Sequence, residues 1–332
     1  MKRLDYKILL TGAAVLCLLA AAASLCLGEL FLSPGKILGF LMGQEQGTPE
    51  SNIFRFARLP RTLGCLLAGA ALSTSGAVLQ KVLANRLASP SIIGVNAGAG
   101  LGLSICCAMG ALSGWAFSLS AFLGALAAIC MIVLLSRSTR ASKTTVILSG
   151  VAMNSILNAC NEAISILDPN IAVMNLEFRI GGFSSVSYIR LIPAGVLILS
   201  ALMVLTTLYN ELDVLALGDD TAGSLGLPVK RYRMLFLILC ALLAGAAVSF
   251  AGLLGFVGLI VPQFVRRLSG GESKKLLPLT ALVGAGFVTA CDLAARLIFR
   301  PFELPVGIIM AFLGGPAFLL LLLRYKGGRE NG

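Results

Sequence analysis

The chain contains 332 residues, of which 58% are hydrophobic and only 12% are charged, and its formal net charge at pH 7 is +11. A mean hydropathy of +0.94, with repeated apolar runs of about 20 residues, excludes a soluble globular protein and predicts a polytopic membrane protein whose partner is the lipid bilayer. The basic residues lie in short loops between the apolar runs, so we attribute the positive charge to membrane topology and predict no nucleic-acid partner.

Ten apolar segments are long enough to be predicted as transmembrane helices. They cover residues 8–27, 60–80, 91–110, 115–136, 144–166, 190–209, 233–251, 254–268, 277–299 and 305–324. The first follows the basic stretch MKRLDYK and is longer than the core of a typical signal peptide, so we interpret it as an uncleaved helix. An even number of crossings and the basic loops place both termini in the cytoplasm. The segment at 254–268 is short and contains Pro262, so a broken or re-entrant helix is the alternative there.

Residues 58–100 join two arginines to an apolar segment rich in glycine, alanine and serine, which begins RLPRTLGCLLAGAALSTSGAVLQ. Because small residues let helices approach closely in a bilayer, we predict a tightly packed hairpin with Arg58 and Arg61 at its outer mouth. Arg296 lies at the outer end of another predicted span. Two interpretations of these arginines stay open: snorkelling to lipid head groups, or an outward basic rim that binds an acidic partner. Asp292, four residues before Arg296, competes for that arginine as an internal ion pair.

The fifth predicted span carries the most polar face of the chain. Its polar residues, which fall within an arc of about 100° on a helix, are Asn154, Asn158, Asn161 and Glu162. Amides and a carboxylate are costly in lipid, so we predict that this stripe faces protein or a water-filled path. Hydrogen bonding between helices and the lining of a pathway for a polar cargo both stay open as its role.

The loop at 210–232 is the longest inner connection. Asp219 and Asp220 follow Gly218 and favour the start of a short helix, which Gly226 and Pro228 are placed to end. A short helix at the cytoplasmic surface suits docking to a soluble partner, and a solvated loop is the alternative. No GxxxxGKS or GxxxxGKT sequence is present, so the chain does not hydrolyse ATP in the P-loop manner.

The hexapeptide LLAGAA occurs twice, at residues 66–71 and 242–247. On the predicted topology the first copy runs from outside to inside and the second from inside to outside. Opposed copies are typical of the inverted repeats of transporters. The nine cysteines lack metal-ligand spacing and the chain has no histidine, so the sequence predicts no metal site and no directly bound cofactor.

Several long blocks of the sequence, in their order and spacing, resemble one family of transport proteins. They are RLPRTLGCLLAGAALSTSGAVLQ, NRLASPSIIGVNAGAG, LGDDTAGSLGLP, GLLGFVGLIVPQFVRRLSG and ELPVGIIMAFLGGPAFLLLL. They resemble the permease subunits of ABC importers for iron–siderophore complexes, haem and cobalamin, the FecCD family. The resemblance implies an all-α polytopic membrane protein of the BtuC-like type II importer fold, with about ten transmembrane helices and an inverted internal repeat, in the inner membrane of a bacterium.

The resemblance also implies partners. Two permease chains, identical or different, would pair around a central path and sit on two copies of a separate ATPase that uses ATP. An extracytoplasmic substrate-binding protein would deliver the cargo, of which an iron–siderophore complex is the first expectation and haem or cobalamin the alternatives. An ion-coupled secondary transporter of a polar solute is the alternative class, although Glu162 and Asp292 are the only acids within the predicted spans.

Site roles carried over from the family are likewise implied by the resemblance. The arginines that dock the binding protein would be Arg58, Arg61 and Arg296. The fifth helix would line the path, with the turn at 140–145 near an inner gate. The residues that couple the permease to the ATPase would be Leu217, Gly218, Asp219, Asp220, Ala222 and Gly226.

The sequence departs from the family pattern at two positions. Gln263 stands where the family usually has histidine, and Gly223 where a longer or charged residue is common. Both positions bear on coupling details rather than on a chemical step.

Overall fold

The computed structural model describes residues 5–28, 30–43, 47–91, 94–111, 114–138, 143–300 and 302–326, and every regular element within these ranges is a helix. The side chains at positions 114, 133, 135–138, 143–147, 169, 174, 175, 177 and 321–326 are not described. The predicted all-α fold is therefore confirmed.

Fifteen α-helices follow one another in the described part of the chain. They are α1 (Tyr6–Cys26), α2 (Pro34–Leu41), α3 (Pro49–Asn52), α4 (Leu59–Val82), α5 (Val95–Ala108), α6 (Gly114–Ser138), α7 (Lys143–Leu167), α8 (Pro169–Ile180), α9 (Tyr188–Thr207), α10 (Tyr209–Ala216), α11 (Asp219–Ser224), α12 (Val229–Ala251), α13 (Val257–Ser269), α14 (Ser273–Ile298) and α15 (Val306–Lys326). A π-helical turn at Ile53–Arg58 joins α3 to α4.

Each predicted span overlaps one helix, and six helical stretches are long and apolar enough to cross a membrane. These six are Tyr6–Cys26, Pro49–Val82, Trp115–Ile132, Tyr188–Thr207, Val229–Ala251 and Ser273–Ile298. Two shorter apolar helices, Val95–Ala108 and Val306–Leu320, lie at two further predicted spans. The sequence analysis assigned no element to the stretches that form α2, α3 and α8.

A helix broken at Pro262, the alternative for residues 254–268, is not present, and the break lies between the predicted spans 233–251 and 254–268. The chain leaves α12 at Gly252 (φ +67°) and enters α13 at Phe256 (φ +64°), whereas α13 continues through Pro262. A proline cannot donate the hydrogen bond that the carbonyl of Gly258 would receive in a regular helix. Gln80 Nε2 of α4 donates to that carbonyl over 3.3 Å, so a neighbouring helix compensates for the proline.

α4 lies at the centre of the bundle and packs against α9, α12, α13 and α14. Its glycines allow backbone contact. A Cβ atom on Gly69 would lie 2.3 Å from the carbonyl oxygen of Gly284, and one on Gly76 would lie 1.8 Å from that of Gly258. The tight packing predicted from the small residues of this segment is therefore present.

The two LLAGAA copies lie side by side in α4 and α12. Ser75 Oγ donates to the carbonyl of Cys240 over 3.1 Å, while Gly64 lies against the ring of Phe250. These two contacts flank both copies, so α4 and α12 run in opposite directions. We call the end of the bundle that holds Arg58 and Arg61 the arginine end, and the end that holds Lys81 the lysine end.

Candidate functional site

Arg58 is almost fully buried at the arginine end, with 6% of its surface exposed. Its guanidinium donates to the carbonyl of Leu25 over 2.8 Å and to that of Cys26 over 3.0 Å, and it also contacts the carbonyl of Leu30. The last carbonyls of a helix have no partners within it and carry partial negative charge. Arg58 therefore caps α1 and fastens it to the start of α4.

Arg61 and Arg296 share one buried carboxylate. Arg61 binds Asp292 through Nε and Nη2, each at 3.0 Å, and Arg296 Nε lies 3.1 Å from Oδ2 of Asp292, the oxygen that also accepts from Arg61 Nε. Arg61 Nη1 also binds Glu303 at 2.7 Å. The internal ion pair expected between Asp292 and Arg296 is present, and Arg61 joins it.

The three predicted docking arginines thus have partners within the chain. Arg296 is 6% exposed and donates to Ser24 Oγ over 2.7 Å, while the Arg61 side chain is 13% exposed. Their role in docking stays a prediction, and in this structure a partner would have to compete with these contacts.

A cavity of about 430 Å³ opens at the arginine end. It is bounded by residues of α4, α5, α6, α8 and α9, the segment at 181–185, the end of α12 and residues 303–306. Its charged and hydroxyl-bearing residues are Arg61, Ser184, Ser185, Arg190, Ser249 and Glu303. Sequence analysis missed Arg190 because it begins a predicted span and belongs to no recognised block.

Backbone contacts hold α8 beside this cavity. Gly182 N donates to the carbonyl of Ala251 over 2.9 Å, and Leu253 N donates to that of Phe178 over 2.9 Å. A Cβ atom on Gly307 would lie 1.7 Å from the carbonyl oxygen of Ile180. The end of α8 is therefore fixed against the end of α12 and the start of α15.

The four polar residues of the α7 stripe have different surroundings in the structure. Asn154 Nδ2 donates to the carbonyl of Ser91 over 2.9 Å, and buried Asn161 contacts Ser104 of α5. Both amides thus bond neighbouring parts of the chain, as one interpretation proposed. Asn158 is exposed, and so is Glu162, which lies 3.9 Å from Arg179 of α8. The exposed pair is available to line a path, and that role stays a prediction.

The turn at 140–145 falls largely outside the described residues, since positions 139–142 are not described and α7 begins at Lys143. Its predicted position near an inner gate therefore stays a prediction.

The loop predicted at 210–232 is mostly helical, and α12 begins earlier than predicted, at Val229. The short helix expected from the Asp219–Asp220 pair is present as α11, after Gly218 (φ +110°) and before Gly226 (φ +83°). Ala222 is buried, whereas Leu217 is 63% exposed. Residues 217–226 thus present an exposed apolar and acidic surface, with Ala222 as the buried residue of α11.

The structure shows the surroundings of Gly223 and Gln263, the two positions at which the sequence departs from the family pattern. Asp219 pairs with Arg233 of α12, which ties α11 to the bundle. Gly223 is exposed, with no other atom near a Cβ built on it, so glycine there leaves open space. Gln263, the second departure, donates through Nε2 to the carbonyl of Arg86 over 2.8 Å and holds the turn after α4.

A partly buried cluster of polar side chains at the lysine end was not among the sequence predictions. Lys81 Nζ of α4 binds Asp213 of α10 and Ser273 Oγ of α14, the latter at 2.7 Å. Asp213 also accepts from the backbone N of Ser273 over 3.0 Å and from its Oγ over 2.8 Å, so it caps α14. The sequence showed Lys81 as a topological charge only, because its partners lie more than a hundred residues away.

Within the described residues, no group of three or more histidine, cysteine, aspartate or glutamate side chains is arranged to hold a metal ion. The expected absence of a directly bound cofactor stays a prediction.

The sequence matches the model of the FecCD transport family over residues 16–324. The chain belongs to the FecCD transport family. The vitamin B12 import system permease protein BtuC of Shigella sonnei is 37% identical over 320 residues, which cover 95% of this chain and 94% of BtuC. The ABC transporter permease protein YvrB of Bacillus subtilis is 38% identical over 289 residues, covering 84% and 81% of the two chains.

Two solved structures share the fold of this FecCD protein. An inward-facing metal-chelate type ABC transporter superposes with a TM-score of 0.85 at 29% identity, covering 95% of this chain and 98% of the other. PsaBC from Streptococcus pneumoniae superposes with a TM-score of 0.58 at 16% identity, covering 86% and 94%, and supports the fold alone. FecCD permeases are the membrane components of ABC importers, in which the ATPase is a separate subunit and a substrate-binding protein is a further partner.

Proposed function

We propose that this FecCD permease imports an iron–siderophore complex that a substrate-binding protein delivers, with haem and cobalamin as the alternative cargoes. The observation that supports a metal chelate as the class of cargo is the match along nearly the whole chain to a vitamin B12 permease, together with the fold of a metal-chelate transporter. All three cargoes are large chelates of a metal ion. The exposed Asn158 and Glu162 on α7 suit the passage of such a polar ligand.

The proposed assembly contains two permease chains, identical or different, two ATPase subunits and one binding protein. Both termini and the lysine end face the cytoplasm of a bacterium, and the arginine end faces outward. The proposed path runs along the exposed face of α7, between the two permease chains. The path needs only low affinity for the cargo, because the binding protein supplies the affinity. A tight site within the membrane would trap the cargo.

The proposed contact with the ATPase is the segment formed by α10 and α11. Leu217 and Leu225 are exposed there beside the acidic start of α11, a combination that suits a groove on a soluble protein. The Lys81–Asp213–Ser273 cluster joins α10 to both α4 and α14. Because this partly buried ion pair and the hydrogen bonds to Ser273 link the three helices, a displaced α10 will pull α4 and α14 with it.

Uptake into proteoliposomes that contain the permease and its ATPase tests this function. The binding protein is supplied outside, loaded in turn with a radiolabelled ferric siderophore, haem or cobalamin. We expect uptake of the ferric siderophore that requires both the binding protein and an ATPase able to hydrolyse ATP. Preferential uptake of haem or cobalamin would identify a different cargo, and the protein would still be an ATP-driven importer. Uptake that survives an inactive ATPase but stops with an ionophore would favour the ion-coupled transporter.

A further inference from the structure

Arg190, in the first turn of α9, lines the cavity at the arginine end and is half-buried. Within the described part of the chain, its guanidinium has no ion pair and no hydrogen-bond acceptor, in contrast to the other cavity arginine, Arg61, which binds Asp292 and Glu303. A half-buried guanidinium without a partner is costly, and it favours a ligand that restores one.

Among the described charged residues that line the cavity, Arg61 and Glu303 pair with each other, whereas Arg190 has no ion pair. Arg61 and Arg296 are matched by Asp292 and Glu303, which form a neutral network of two cations and two anions. Glu303 is held 2.7 Å from Arg61 and does not contact Arg190. The fork of donors on a guanidinium matches a carboxylate in two parallel hydrogen bonds, so a carboxylate is the preferred ligand.

The cavity is separate from the proposed path. Phe178 of α8 lines the cavity, whereas the next residue, Arg179, lies 3.9 Å from Glu162 on the polar face of α7. None of the described residues that line the cavity belongs to α7, so the cavity and the polar face of α7 are distinct surfaces. A carboxylate that reaches Arg190 comes from the outer surface, past the exposed Ser184 and Ser185, and not from the path along α7.

We propose that this cavity receives an aspartate or glutamate side chain of the substrate-binding protein and that Arg190 is the residue that binds it. Ser184 and Ser185 at the rim add hydroxyl donors for the same carboxylate. This assignment rests on the proposed function, since it needs a binding protein that docks on the arginine end. It differs from the docking role expected for Arg58 and Arg296, whose guanidinium groups are occupied within the chain.

Docking is measured between the permease–ATPase complex in lipid nanodiscs and the immobilised binding protein that supports uptake in proteoliposomes. The test variant is Arg190→Glu, and the matched control is Arg179→Glu, the same charge reversal at an exposed arginine outside the cavity. We expect the dissociation constant to rise at least about tenfold for Arg190→Glu and to stay within about twofold of wild type for Arg179→Glu. Arg190→Lys, which keeps the charge but loses the fork, should fall between wild type and Arg190→Glu.

Charge reversal on the binding protein tests the same contact independently of how well Arg190→Glu folds. Single aspartates and glutamates on the binding protein are changed to lysine, and one such change should restore docking to Arg190→Glu while weakening docking to wild type. Dissociation constants for Arg190→Glu and Arg190→Lys that equal the wild-type value would overturn the proposal. Equal weakening by Arg179→Glu would also overturn it, since a general surface field would then explain the effect.

Two further results separate this inference from the proposed function. If docking is unchanged in Arg190→Glu but uptake of the chelate falls, Arg190 contacts the cargo and the proposal is wrong. If the wild-type complex imports no chelate with ATP and the binding protein, the proposed function itself fails. If the wild-type complex imports the chelate but the Arg190 variants bind the binding protein as tightly as wild type does, the role of Arg190 is rejected and the proposed function stands.

Discussion

The two ends of α4 are fastened in different ways. At the arginine end, Arg58 and Arg61 bind α1 and α14, two helices long enough to cross the membrane. At the lysine end, Lys81 binds Asp213 of α10, a short helix that continues into the exposed α11. The arginine end is therefore a clamp within the bundle, whereas the lysine end joins the bundle to a surface segment. The central helix α4 is thus fixed to other long helices at one end and linked to an exposed segment at the other.

The largest expected effect on stability comes from breaking the clamp. Asp292→Ala leaves Arg61 and Arg296 buried without their shared carboxylate, and loss of one member of a buried ion pair costs about 3–5 kcal/mol. The free energy of unfolding is measured by SDS titration in detergent micelles. Glu303→Gln is the control: its side chain is 40% exposed, so its loss should cost at most about 1 kcal/mol. Equal losses in the two variants would contradict the clamp.

A smaller loss is expected from the packing between the two ends. In Gly76→Ala the added methyl group meets the carbonyl of Gly258, and overpacking of this kind typically costs about 1–3 kcal/mol. The same SDS titration measures it. Gly12→Ala in α1 adds the same methyl group where no atom lies within 4 Å and should leave the unfolding free energy unchanged or slightly raised. Unchanged stability in Gly76→Ala would show that α4 and α13 are less tightly packed than described.

The smallest expected loss of stability concerns Arg58 and tests whether this residue caps α1 or docks the binding protein. Arg58→Lys keeps the positive charge but loses the fork that reaches two carbonyls at the end of α1, which should cost about 1 kcal/mol of unfolding free energy. If Arg58 only caps α1, binding-protein docking stays at the wild-type level in Arg58→Lys and falls in Arg58→Glu only as far as stability falls. Docking that falls strongly in Arg58→Glu at full stability would instead support the predicted docking role.

Patterns local in sequence predicted much of the fold. Apolar length located the ten helices at the predicted spans, and the Gly218–Asp219–Asp220 sequence predicted α11, because helix starts depend on neighbouring residues. The small residues of α4 predicted its close packing. The break between α12 and α13 falls between the predicted spans 233–251 and 254–268, and α13 continues through Pro262 because Gln80 of another helix compensates for the proline.

The sites were harder to predict because they depend on distant residues. Asp292 lies four residues from Arg296, so that ion pair was visible in the sequence, whereas its bond to Arg61 was not. Neither the Lys81–Asp213 pair nor the lack of a partner at Arg190 has a local signal. A buried ion pair between distant helices becomes visible only when the helices are packed together.

The proposed transmission of ATPase movement through the lysine end is tested by the variant Asp213→Asn. The variant removes the charge that binds Lys81 and should weaken the link from α10 to α4 and α14. Uptake and ATP hydrolysis are measured together in proteoliposomes, as cargo molecules imported per ATP. Glu272→Gln, beside Ser273 but exposed, is the control and should match wild type. We predict that Asp213→Asn lowers this ratio severalfold while ATP hydrolysis continues; an unchanged ratio would show that the Lys81–Asp213 pair does not couple hydrolysis to transport.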